Sequence, residues 1–149
     1  MYNTKILSKA LSDIAKKESG SKYKICAVKG NIWIFYLGVA MYPTTNYLCL
    51  SIDNPDLVVD EKTVNYIYDN IKNEQEIQPT NYIYSDLTEF ITEKGKKVYC
   101  KTKLLKDAGF KTCPYCTYVE NKYICIYDSP KKNLLYAVIS PIIKRGENN

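Results

Sequence analysis

The sequence predicts a single α+β domain, built from two antiparallel three-stranded meanders that are each preceded by helices. The meanders are expected to form one or two packed sheets with the helices on one side. Three observations support this class: a helical apolar pattern opens the chain, and strand-type residues fill two separate stretches, 22–53 and 110–139. A chain of 149 residues is long enough to bury a core without disulfides or metals.

The first expected element is a helix over residues 4–19. Apolar residues recur there at three- and four-residue spacing, which places them on one stripe of a helix, and Gly20 follows as a left-handed cap. The stripe consists of Ile6, Leu7, Ala10, Leu11 and Ile14.

The first meander follows this helix. Alternating side chains predict a strand at 23–28, and an unbroken apolar run predicts a central strand at 32–39. A third strand is expected at 47–52, after a turn at 42–46 that contains Pro43.

Helices are expected in the middle of the chain. Asp60 is a good N-cap for a helix that runs to about Glu74, with an apolar stripe of Val64, Ile67, Tyr68 and Ile71. A second helix is predicted over 85–94, a short strand at 98–100 and a short helix at 102–108.

The second meander is predicted at 110–119, 123–127 and 134–139. The short segments 26–31 and 116–121 have similar sequences, which is consistent with an ancient duplication that relates 1–59 to 60–149. The final stretch, 134–144, resembles the end of sliding-clamp half-rings, which also repeat a helix followed by antiparallel strands. That resemblance implies a clamp-like accessory role on nucleic acid.

Charge is strongly segregated along the chain. Residues 53–93 hold ten carboxylates against two lysines, and we expect an acidic face on the two middle helices that could contact a basic partner. The alternative is a solvated helix face without a partner. The candidate contacts are Asp69, Glu74, Glu76, Asp86, Glu89 and Glu93, with Tyr66, Tyr82 and Tyr84 as aromatic anchors.

The basic segment 94–111 holds seven lysines against one carboxylate. Lysines on phosphates give sequence-independent, salt-sensitive affinity, and Tyr99 or Phe110 could stack on an unpaired base. The candidate nucleic-acid contacts are Lys94, Lys96, Lys97, Lys101, Lys103 and Lys106.

The six cysteines allow three interpretations. Residues 113–116, Cys-Pro-Tyr-Cys, match the active-site tetrapeptide of glutaredoxins, although a hairpin and not a helix is expected to follow. Zinc is the alternative cofactor, with Cys100, Cys113, Cys116 and Cys125 as its ligands. Otherwise the thiols pack as small apolar groups and no cofactor is expected.

The chain contains no histidine and no glycine-rich phosphate loop, which argues against an enzyme. No apolar run is long enough to span a bilayer, so we expect neither export nor membrane insertion, and a location in the cytosol of a host cell.

An abundance of Lys, Asn, Ile and Tyr indicates AT-rich coding, as in many phages and mobile elements. We therefore hypothesise a non-enzymatic protein that blocks or modulates a host nucleic-acid-handling or defence complex by protein contact, as an anti-CRISPR-like inhibitor does. The alternatives are a nucleic-acid-binding or clamp-like accessory module that uses residues 94–111, and a zinc-stabilised module.

Overall fold

The computed structural model describes residues 3–17, 20–28, 31–45, 58–108 and 115–142. Their helices and strands form three consecutive units, each a helix followed by three strands. The first unit is α1 (Thr4–Lys17), β1 (Tyr23–Val28), β2 (Asn31–Tyr36) and β3 (Ala40–Thr45). The second is α2 (Glu61–Asn70), β4 (Gln75–Tyr84), β5 (Leu87–Thr92) and β6 (Lys97–Lys101). The third is α3 (Thr102–Asp107), β7 (Tyr115–Val119), β8 (Tyr123–Tyr127) and β9 (Leu135–Ile139).

All nine strands belong to one antiparallel sheet in the order β1-β2-β3-β9-β8-β7-β4-β5-β6. The third unit lies between the other two, because β9 pairs with β3 and β7 pairs with β4. The predicted fold class, two three-stranded meanders that are each preceded by helices, is therefore wrong. A third meander, β4 to β6, occupies the region where helices were expected.

The helix predicted over 85–94 is strand β5. Leu87, Phe90 and Ile91 have helical spacing. In a strand, however, Phe90 lies on the same face as Thr88 and Thr92. Pairing with both β4 and β6 supplies partners for the backbone groups of β5, and tertiary context overrides the local pattern.

The third strand of the first meander is also corrected. It runs over Ala40–Thr45, through the predicted turn, and the turn itself lies earlier, at Leu37, Gly38 and Val39. Pro43 is tolerated because β9 pairs with β3 only at Ala40 and Met41. The strand predicted at 47–52 lies outside the described residues.

Several local predictions are confirmed. The first helix forms, Asp60 caps α2 by accepting the backbone N–H of Lys62 at 2.9 Å, and the helix expected at 102–108 is α3. The strands expected at 123–127 and 134–139 are β8 and β9, and the described part of 110–119 forms β7.

Helices cover both faces of the sheet, so their predicted placement on one side is wrong. α1 and α3 pack on the inner face, in a buried cluster to which every one of the nine strands contributes. α2 packs on the outer face through Val64, against Cys26, Phe35, Met41 and Val138.

α2 covers only part of the outer face. The outer cluster draws its described residues from β1 to β3 and from β7 to β9, and none from β4 to β6. We call the part that α2 does not cover the β4–β6 face. By strand alternation it carries Glu76, Gln78, Leu87, Glu89, Ile91, Lys97, Tyr99 and Lys101. Within the described ranges, no helix is both long and apolar enough to cross a bilayer.

Candidate functional site

Two surfaces of the molecule concentrate chemically useful groups. The first is the solvent side of α1 and α3, which lie on the same face of the sheet. Lys5, Lys9 and Lys16 fall on the side of α1 away from the core because their spacing is close to whole helical turns. Lys103 and Lys106 are exposed on α3. We call these five lysines the α1–α3 basic face.

Asp107 connects the two helices of this face. Its carboxylate lies 3.3 Å from the Lys9 ammonium and 3.0 Å from the Lys103 ammonium, and its side chain is only 12% exposed. Partial burial lowers the pKa of Lys103, but hydrogen bonds with Asp107 and Tyr36 outweigh burial and raise it above its ordinary value. Lys103 therefore stays charged at neutral pH.

The two helices present no exposed carboxylate to balance these cations. Their sequences contain two acids, Asp13 and Asp107, and both are half-buried. Asp13 accepts hydrogen bonds from the Ser21 hydroxyl at 2.8 Å and the Lys22 backbone N–H at 3.2 Å, which fixes it against the following loop. The basic face is thus suited to attract an extended anion.

The second surface is a pocket on the β4–β6 face. It has a volume of about 230 Å³ and opens to solvent. Three aromatic rings, a carboxylate and an ammonium group line it: Tyr82, Tyr84, Tyr99, Glu89 and Lys97.

A β-bulge in β4 shapes this pocket. Pro79 pairs with Phe90 and Ile83 pairs with Thr88, so three residues of β4 lie opposite Glu89 alone. The bulge includes Asn81 at a φ of 63°. Bulges redirect side chains, and here the rings of Tyr82 and Tyr84 stack with centroids 6.3 Å apart and planes inclined by 22°.

Glu89 fixes the floor of the pocket. It is 6% exposed and accepts hydrogen bonds from the Tyr99 hydroxyl at 2.8 Å and from the Thr80 hydroxyl at 2.8 Å. These bonds hold the Tyr99 ring and the bulge in place. Tyr82 and Tyr84 remain 57% and 49% exposed, so their rings are accessible to a ligand.

The lysines predicted to bind nucleic acid divide between several locations. Lys97 and Lys101 lie on the β4–β6 face, and Lys94 lies in the turn that precedes β6. Lys96 instead pairs with Glu120 at 2.5 Å, and this hydrogen bond raises its pKa. The remaining two candidates, Lys103 and Lys106, belong to the α1–α3 basic face.

The six candidate carboxylates do not form an acidic face on two helices. Asp69 lies on α2 and Glu76 on β4, while Asp86 and Glu93 flank β5. Glu89 is buried in the pocket, as described above. Glu74 is part of an internal network, in which it accepts hydrogen bonds from Thr117 and Tyr127.

The predicted aromatic anchors separate into two groups. Tyr66 is exposed on α2, over the part of the sheet that this helix covers. Tyr82 and Tyr84 form the pocket wall. The structure therefore brings together Tyr82 and Tyr84, Glu89 and Lys97, which the sequence had assigned to two different surfaces.

The structure does not gather the cysteines predicted to bind zinc. Cys100 and Cys116 are buried on the inner face of the sheet, whereas Cys125 is buried on the outer face, where burial raises the pKa of its thiol to about 12. Cys113 lies outside the described residues. Within the described ranges, no three Cys, Asp or Glu side chains are close enough to hold a metal ion.

Two parts of these surfaces were missed in the sequence. The lysines of α1 were not predicted to form a surface, although the spacing of Lys5, Lys9 and Lys16 places them on one helix face. The contacts of Thr80 depend on a bulge that no local sequence signal marked.

Comparison of the chain with protein-family models, with curated proteins and with solved structures finds no match. The two surfaces are therefore the features of the molecule that indicate a function.

Proposed function

We propose that the protein is a non-enzymatic nucleic-acid-binding accessory module that holds the sugar-phosphate backbone on its α1–α3 basic face. One observation carries this proposal: among the residues that the structure describes, α1 and α3 expose five lysines and no carboxylate on their shared solvent side.

The chemistry of lysine defines the kind of binding. An ammonium group acts as a point charge and lacks the planar fork with which arginine recognises bases and phosphates in a fixed geometry. Contacts of this kind release counter-ions from the nucleic acid, so affinity is independent of sequence and falls steeply with salt. Lys9 and Lys103 each pair with Asp107. The other three lysines of the face are therefore expected to contribute most to nucleic-acid binding.

A binding role also agrees with the residues that the chain lacks. Without histidine, it has no side chain whose ordinary pKa lies near neutrality for general acid–base catalysis. The accessible groups of the basic face are suited to hold a polyanion in position.

Fluorescence anisotropy with a labelled DNA duplex tests this proposal. We expect Lys5→Gln/Lys16→Gln to weaken binding and to lower the slope of log K against log salt by about two, because each phosphate contact contributes about 0.9. The matched control is Lys62→Gln/Lys72→Gln, which removes the same charge from exposed positions outside the basic face. Equal effects of the two variants, or no binding by the wild-type protein, would reject the proposal.

A second candidate function is contact with a protein of a host nucleic-acid-handling or defence complex, encoded by a phage or mobile element. The observation that favours it is Tyr66, which is 63% exposed on α2 and lies one helical turn from the exposed acid Asp69. Co-purification from host lysate with wild-type protein and with Tyr66→Ala/Asp69→Lys tests this candidate. If both proteins retain the same partners, α2 is not the contact surface.

A further inference from the structure

We infer that the pocket on the β4–β6 face accepts one unpaired base of a single-stranded nucleic acid, whose backbone runs along Lys94, Lys97 and Lys101. This second site uses none of the lysines of the α1–α3 basic face. The inference rests on the proposed function for the class of its ligand, nucleic acid. Its residues and its measurement differ from those of the basic face.

The aromatic walls supply the main contact. Tyr82 and Tyr84 present accessible rings that already stack on each other, and an unpaired base can extend this stack. Tyr99 lines the pocket with its hydroxyl bound to Glu89, so the site is organised before a ligand arrives. Rigid aromatic groups lose little conformational entropy on binding.

The polar groups match the polarity of a nucleotide. Glu89 presents carboxyl oxygens at the floor of the pocket, and these accept hydrogen bonds of the kind that the amino and imino groups of a base donate. Lys97 on the pocket wall and Lys101 on the same strand face are placed for the phosphates outside.

The size of the pocket favours a single base over a whole small molecule. Its volume of about 230 Å³ is below the range of roughly 300 to 1,000 Å³ that is common for pockets which enclose drug-sized ligands. The open mouth lets a chain enter and leave on either side. A duplex cannot use this site, since its bases are already paired and stacked.

Anisotropy with a labelled single strand, as DNA and as RNA of the same sequence, tests the inference. We expect Tyr82→Ala/Tyr84→Ala to weaken strand binding by about tenfold or more, which corresponds to the loss of one stacked base. Tyr66→Ala is the matched control, because it removes a similarly exposed tyrosine from α2 and should leave strand affinity unchanged. Circular dichroism and urea unfolding verify that each variant folds.

The same titrations with duplex DNA separate the two proposals. If Lys5→Gln/Lys16→Gln weakens duplex binding while Tyr82→Ala/Tyr84→Ala binds strands like the wild type, the base pocket is rejected and the basic face stands. If strand binding depends on the two tyrosines but no duplex binds, the pocket stands and the basic face is rejected. A protein that co-purifies only when both tyrosines are present, without any strand binding, would assign this face to a protein partner and overturn the inference.

Discussion

At the scale of single residues, the turn between β2 and β3 contains a leucine in a backbone conformation that leucine rarely adopts. Seven residues other than glycine have positive φ in the described part of the chain, and four of them are asparagines, the side chain that tolerates this conformation best. Leu37, at a φ of 48°, is the one large apolar residue among them, and it is 59% exposed. Its side chain therefore gains little burial to offset the backbone strain.

We predict that Leu37→Asn stabilises the protein. Leu37 and Gly38 both have positive φ, which is the signature of a type I′ turn, and Asn-Gly is the preferred pair for that turn. The free energy of unfolding in urea should rise by about 0.5–1 kcal/mol, since a left-handed conformation costs an ordinary residue about 1 kcal/mol or more. Asn121→Leu, the reverse change at a φ of 58°, should destabilise by a similar amount. A loss of stability in Leu37→Asn would contradict this account.

Glu74 illustrates how a carboxylate that looks like a contact residue in sequence can be structural. Its side chain is 11% exposed and accepts hydrogen bonds from the Thr117 hydroxyl, from the Tyr127 hydroxyl at 2.9 Å and from the Lys132 ammonium at 3.4 Å. These bonds attach the segment between α2 and β4 to β7 and β8.

We predict that Glu74→Ala lowers the free energy of unfolding by about 1–3 kcal/mol, because two largely buried hydroxyl groups lose their acceptor. Glu76→Ala, two residues further on, removes an exposed carboxylate that bonds only to Gln78 in the described part of the chain, and should stay within about 0.5 kcal/mol of the wild type. Chemical denaturation of the two variants provides the comparison. Equal stability would show that the Glu74 network contributes nothing.

At the scale of elements, Asp107 links the two helices of the basic face but lowers the positive charge of that face. Its carboxylate pairs with both Lys9 and Lys103 and so connects α1 to α3. We predict that Asp107→Asn has opposite effects on two measurements. The free energy of unfolding should fall by about 0.5–1 kcal/mol, in the range of partly exposed ion pairs, while duplex affinity and its salt slope should increase because two lysines become available.

Glu120→Gln is the charge-matched control for this prediction. It releases Lys96 in the same way, but at the β7–β8 turn, away from the helix pair. If both variants raise duplex affinity equally, the gain reflects net charge and not the α1–α3 basic face.

Elements with complete local signals could be predicted from sequence. α1 has an apolar stripe, α2 has the Asp60 cap, and the two hairpins of β7 to β9 have turn residues between apolar runs. β5 could not be predicted, because Leu87, Phe90 and Ile91 fit both helical and strand spacing. The choice depends on β4 and β6, which pair with it from both sides.

At the scale of the whole molecule, the sequence indicated which residue types the candidate site uses, but not which of those residues lie close together in space. The lysine-rich segment predicted nucleic-acid contact and the tyrosines predicted protein contact, yet Tyr82, Glu89 and Lys97 meet only because three strands pair and one of them bulges. The bulge and the reach of α2 over the sheet are tertiary properties without a spacing signature. The acidic helical face failed for the same reason, since one of its helices is a strand.

The final prediction concerns the pH dependence of the whole fold. Burial raises the pKa of Tyr42 and of Tyr127, and raises that of Cys125 to about 12. Tyr42 also donates its hydroxyl to the Leu104 carbonyl at 2.9 Å, a bond that requires the protonated form. All three groups keep their protons in the folded state at a pH where the unfolded chain has lost them.

The contribution of these three groups to stability is therefore constant below about pH 7.5, where they are protonated in both states, and falls as the pH rises through about 8 to 11. Each group adds a slope of up to about 1.4 kcal/mol per pH unit above its unfolded pKa. Urea unfolding across this range measures the fall, and phenolate absorbance should show that the two tyrosines ionise only on unfolding. Tyr42→Phe should have a shallower alkaline slope than the wild type, because phenylalanine has no proton to lose. An unfolding free energy that does not change up to about pH 11 would show that these groups ionise as readily in the folded protein as in the unfolded chain.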